Sequence, residues 1–149
     1  MTAGTSNASE KRMSEHWESL VRAVVAAFPR AVVENASAMR CVLHVGAVCV
    51  GVRVRRTYAY DKPVVVIAAD VARAGVIEAS LALSTNALLA SGALALDGDM
   101  LVLRALVPEA TAAPFVLASL ELVAREAATL KPEIHTRATA LAGLACFAD

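Results

Sequence analysis

The sequence predicts an α+β fold: a twisted antiparallel sheet flanked by helices, in the order α-β-β-β(-β)-α-β-β-α. Three observations carry this. Apolar residues recur at helical spacing towards both ends of the chain. The middle third changes to two-residue alternation. Two glycine-containing turns, Gly46-Ala47 and Asp97-Gly98, sit between alternating runs and read as hairpins of types II′ and I′.

Taken in order, residues 1–13 are small and polar and read as a disordered tail. Ser14 is placed as an N-cap, with Glu15 and Glu18 at the positive end of a helix dipole. Trp17, Leu20, Val21, Val24 and Phe28 then mark one helix face, and Pro29 stops it. A short strand is expected near Ala31–Glu34. Met39, Cys41, Leu43 and Val45 alternate with Arg40, Val42 and His44. Beyond Gly46-Ala47, Val48, Val50, Val52 and Val54 alternate with Cys49, Gly51, Arg53 and Arg55. Asp61-Lys62-Pro63 reads as the next turn. Val64–Ala69 lacks alternation, which predicts a strand buried on both faces.

A second helix is expected from about Val76 to Ser91, with Ile77, Leu81, Leu88 and Leu89 on its apolar side and Gly92 as its stop. Strands Ala93–Leu96 and Met100–Leu106 follow. A third helix is expected from near Thr111 to Lys131-Pro132, burying Val116, Leu120, Val123, Ala127 and Leu130. Glu121 and Arg125 should form an i, i+4 pair on another face. Residues 14–131 thus read as one domain, and 132–149 as a tail or short packing helix.

The 149 residues suit a single domain. With 58% hydrophobic but only 4% aromatic residues, Ala, Val and Leu must build the core, and the apolar excess points to a subunit contact or partner groove. Charge is uneven: residues 1–75 hold ten Lys/Arg and six Asp/Glu, and residues 76–149 hold four and eight. A net charge of zero argues against a dedicated nucleic-acid binder. The three cysteines lack CxxC spacing, so neither a disulfide framework nor a zinc site is expected. The polar start and the lack of a long apolar run predict a cytoplasmic protein without a membrane span.

Chemical motifs are scarce. No phosphate-binding glycine loop, GxSxG elbow or HExxH is present. No enzyme activity and no cofactor or metal are expected. His44, between apolar strand residues, reads as half-buried and structural; Cys41 and Cys49 read as buried, inert thiols. Asp97 and Asp99 read as turn residues. Arg53, Arg55 and Arg56, with Arg40 across the hairpin, read as the solvated face of an amphipathic strand; the alternative is contact with an acidic partner or nucleic acid. Asn86 reads either as an exposed turn or a side chain bonding local backbone, or as an amide that fixes the register of a helix–helix or helix–strand contact.

Asn86, Gly92, Leu94, Leu96, Gly98, Leu101, Leu103 and Pro108, followed by a long amphipathic helix, form a pattern that resembles the type III secretion chaperone superfamily, including the Tir-chaperone type and YbjN-like proteins. The resemblance runs from Ser14 to about Leu130. It implies a non-enzymatic homodimer that binds an extended segment of a client protein, by strand addition or in apolar grooves. By this analogy Leu81, Asn86, Leu88, Leu89 and Leu103 are dimer-interface candidates. Val42, His44, Arg53 and Arg55, on the hairpin face, are partner-binding candidates. A YbjN-like accessory protein without a secreted client, and a small-ligand-binding domain, are the alternatives.

Overall fold

The computed structural model describes residues 4–73, 85, 86 and 88–145, with side chains for 15–73, 85, 86 and 88–132. Helix α1 spans Gly4–Ala27, and the strands are β1 Val32–Asn35, β2 Ala38–Val45, β3 Val48–Ala59, β4 Lys62–Arg73, β5 Ala93–Asp97 and β6 Met100–Pro108. Helix α2 spans Ala113–Ala145. The fold is α+β, as expected. Of the second helix expected from sequence, Ile77 and Leu81 lie outside the described residues, and Thr85 and Asn86 are helical.

All strand pairs are antiparallel, in the order β1-β2-β3-β4-β6-β5. The chain leaves β4, forms the outermost strand β5, and returns as β6 between them. Both helices pack on one face. Trp17, Leu20 and Val24 of α1 and Val116, Leu120, Val123, Ala127 and Leu130 of α2 are buried, as their spacing predicts. They meet Met39, Cys41 and Leu43 of β2 and Val50, Val52 and Val54 of β3 in one core. β4 is buried on both faces: Val65, Ile67 and Ala69 face the helices, whereas Val66 and Ala68 face the other side.

Helix ends depart from expectation. α1 begins at Gly4, so Ser14 lies inside the helix rather than at its cap. It ends before Pro29, as expected. α2 continues through Pro132, which does not end it. A proline inside a helix removes one backbone bond and tends to kink it, and a long helix can accommodate one such gap.

Three hairpin turns follow from residue chemistry. Gly46 has φ +60° and Ala47 does not share the left-handed region, the type II′ signature, with Val45 opposite Val48. The second glycine turn sits one residue later than expected. Asp97 is the last residue of β5, opposite Met100, and the loop is Gly98-Asp99. Gly98 alone has positive φ (+63°), so this turn is also II′ and not I′. The turn expected at Asp61-Lys62-Pro63 is Tyr60-Asp61, with φ of 50° and 60° at two non-glycine residues.

The approach to β5 is held by three contacts. Asn86 Oδ1 accepts from the Leu94 N–H at 2.6 Å, and its Nδ2 donates to the Leu94 carbonyl at 3.4 Å. The Glu126 carboxylate of α2 accepts from the Ala90 and Ser91 N–H groups, both at 2.8 Å, and from the Ser91 hydroxyl. Gly92 lies against β6 so closely that a Cβ there would stand 2.3 Å from the Arg104 carbonyl oxygen. Its φ is not positive, so its role is close backbone approach and not the left-handed helix stop expected from sequence.

Candidate functional site

β1 pairs with β2 only as far as Arg40, leaving residues 41–45 as an open sheet edge among the described residues. The hairpin decides which backbone groups this edge presents. In a two-residue hairpin the residues flanking the turn are a hydrogen-bonded pair, and bonded pairs then alternate along the ladder. Val45, Leu43 and Cys41 therefore bond to Val48, Val50 and Val52. The N–H and C=O groups of Val42 and His44 point away from β3, towards the edge.

A groove of about 500 Å³ runs beside this edge, lined by Val42, Leu43, His44 and Val45, by Phe28, Pro29 and Arg30 after α1, and by Glu121 and Arg125 of α2. Phe28 N–H donates to the Val24 carbonyl at 2.8 Å and Ala31 N–H to the Phe28 carbonyl at 2.9 Å, so a tight turn at Pro29 forms one wall. Arg125 and Glu121 meet at 4.0 Å on an exposed face, the pair expected from their spacing. The side chains of Val42 and His44 are exposed on the sheet face opposite the helices.

His44 is thus not half-buried. Its Nδ1 lies 3.3 Å from the Cys49 Sγ across the hairpin, and Cys49 is exposed, contrary to the buried thiol expected. Alternation explains this, since Cys49 shares the outer face with Arg53 while Cys41 shares the inner face with Met39. Cys41 is buried, and burial pushes its thiol up to about 11. Lys131 Nζ, from α2, donates to the Cys49 carbonyl at 3.4 Å.

The arginine strip is largely neutralised. Arg40 pairs with Glu34 at 2.8 Å, and Arg56 with the buried Glu109 at 3.0 Å on the helix side of the sheet. Arg53 reaches Asp97 at 3.0 Å and Asp70 at 3.5 Å. β3 and β5 stand three strands apart, roughly 14 Å in a flat sheet. A direct Arg53–Asp97 contact therefore requires the sheet to curl, and the irregularity between Asp70 and Ala72 in β4 is where such bending concentrates. Arg53 stands opposite Ala68 of β4, which is 7% exposed. Arg55 remains exposed, with no ion pair among the described residues. A strip so paired offers little free charge to a polyanion.

Of the dimer-interface candidates, Leu103 is fully buried in the subunit core and Asn86 is committed to Leu94. Leu103 has no exposed surface, whereas the Asn86 side chain is half-buried. Leu89 packs partly on the core, Leu88 is 81% exposed, and Leu81 lies outside the described residues. Sequence reasoning missed Glu126, Glu109 and Lys131, whose partners are distant in the chain.

No group of three or more metal-ligating side chains occurs among the described residues, and no described helix is long and apolar enough to cross a membrane. No known protein family, curated protein or solved structure matches this chain.

Proposed function

We propose that this protein is a non-enzymatic binding module that takes an extended segment of a partner protein as an added strand along β2. It acts as a homodimer, as the resemblance to type III secretion chaperones implies. The observation that carries this reading is the open edge at Val42 and His44. Four outward backbone groups there lie beside a groove with apolar walls. Strand addition supplies affinity through main-chain bonds and selectivity through alternate side chains. Edges left open in this way are otherwise an aggregation hazard that proteins cover or blunt. The groove is partly open to solvent rather than closed, which suits a peptide better than an enclosed small molecule. Arg30 and Arg125 flank it against the single carboxylate of Glu121, which favours a segment with an acidic residue next to apolar ones.

The test is panning of displayed random peptides against the full chain and against Val42→Pro. Proline removes the outward N–H while leaving the β3 ladder intact, because edge positions tolerate it. Enrichment of alternating apolar sequences by the parent chain, lost in Val42→Pro, is the expected result. Equal enrichment by both would reject the edge as the docking site. Sedimentation at micromolar concentration checks the dimer, and a species of only 15.5 kDa would reject it.

A further inference from the structure

We propose that Cys49 and His44 form a thiol-modification site that takes low-molecular-weight disulfides, such as glutathione disulfide, by thiol–disulfide exchange. The site stands on hairpin geometry. His44 and Cys49 face each other as a non-hydrogen-bonded pair, the position where opposing Cα atoms approach to about 4.5 Å and side chains touch most closely. That placement brings the Sγ within 3.3 Å of the imidazole Nδ1. Both side chains are exposed, so a disulfide reaches the sulfur without any opening of the fold.

The surrounding charge suits an anionic reagent. The Lys131 ammonium donates to the Cys49 carbonyl at 3.4 Å. Glutathione disulfide carries carboxylates that this cation attracts. Cys41, on the opposite face of the same hairpin, is buried, and its one partner among the described residues is the Val52 carbonyl, at 3.7 Å. It provides an internal comparison.

In the reaction the Cys49 thiol proton passes to His44 Nδ1 as the sulfur attacks one sulfur of the disulfide. The new S–S bond forms as the old one breaks, and the departing thiolate takes up a proton. Cys49 ends as a mixed disulfide, the reagent has supplied the oxidising equivalents, and a second free thiol reverses the step. The adduct stands one strand in from the open β2 edge and over His44, where it crowds any strand docked there. That consequence rests on the docking reading above; the exchange chemistry does not.

The experiment uses the full chain carrying Cys146→Ser, incubated with glutathione disulfide and followed by intact mass and peptide mapping. One glutathionyl group on Cys49, removed by dithiothreitol and absent in Cys49→Ser, is expected. His44→Asn should slow its formation about tenfold at neutral pH, and the gap should close at alkaline pH, where a thiol ionises unaided. Unchanged thermal unfolding of both exposed-site variants confirms that the fold is intact. Equal rates with and without His44, or labelling of Cys41 as fast as Cys49, would overturn the proposal. Peptide panning on the glutathionylated chain then separates the two readings: an adduct that forms but leaves panning unchanged rejects the docking site while keeping the thiol site.

Discussion

The side-chain amide of Asn86 engages both backbone polar groups of Leu94, accepting from its N–H at 2.6 Å and donating to its carbonyl at 3.4 Å. A carboxamide presents a donor and an acceptor in the same arrangement as a peptide unit. Asn86 therefore stands in for a neighbouring strand on the outer side of β5. This blunts one sheet edge and sets where β5 begins.

Asn86→Ala should destabilise the protein by roughly 1–3 kcal/mol, because Leu94 is nearly buried and its two groups lose their partner. Asn86→Asp should not restore stability. It keeps the acceptor for the N–H but sets an oxygen against the Leu94 carbonyl. Urea unfolding of the three proteins orders them, and a fully stable Asn86→Asp would refute the strand-mimic role.

Gly92→Ala tests the close approach of the chain to β6. With the new Cβ 2.3 Å from the Arg104 carbonyl oxygen, backbone must move, at a cost of about 1–3 kcal/mol. Gly98→Ala, where φ is +63° but the space is open, suffers only backbone strain of about 1–2 kcal/mol. A chemical-shift map should show the Gly92 effect spreading along β6 and the Gly98 effect confined to the turn.

Glu126 links stability to pH. Burial by itself would raise its pKa, but hydrogen bonds from the Ser91 hydroxyl and the Ala90 and Ser91 N–H groups outweigh this and hold it below the usual carboxylate value. A carboxyl with a depressed folded-state pKa contributes stability that is fully present above its unfolded value, about 4.3. The contribution is lost as pH falls through the lower folded value. Glu126→Gln should flatten this part of the stability-versus-pH curve, and hydrogen exchange at Ala90 and Ser91 should accelerate in the variant at neutral pH.

Arg56 and Glu109 form the most buried ion pair of those described, and Glu109 Oε1 has no hydrogen-bond partner among the described residues. Arg56→Ala strands the carboxylate and should cost about 3–5 kcal/mol. The double variant Arg56→Met with Glu109→Leu should recover most of that loss, since well-packed apolar residues often replace such a pair without penalty. A double variant no more stable than Arg56→Ala would mean that the arginine acts through something other than Glu109.

The helices and the β2–β3 hairpin were legible in the sequence because each buries a single face, and burial writes its period into the chain. Trp17, Leu20 and Val24 declare α1, Val116 to Leu130 declare α2, and Met39 to Val54 declare the hairpin. The Gly98 turn was displaced by one residue because Asp97-Gly98 and Gly98-Asp99 both suit two-residue loops, and only the pairing of Asp97 with Met100 separates them. Pro132 misled because a proline stops a helix only where nothing else sustains it. Their apolar neighbours in sequence make His44 read as half-buried and Cys49 as buried. On a strand those neighbours lie on the opposite face.

By itself, the sequence determined the α+β class, the two helical core faces, the doubly buried β4 and the β2–β3 hairpin register, since these depend on interactions within a few residues and on apolar periodicity. Only the tertiary structure decided that the β1–β2 pairing stops at Arg40 and exposes the edge at Val42 and His44, that Arg53 closes on Asp97 across a curled sheet, and that Glu126 and Asn86 secure the entry to β5. Each of these joins residues set apart in the chain by a distance that no local period encodes. They form because buried polar groups and charges must find partners wherever the packed sheet and helices happen to place them.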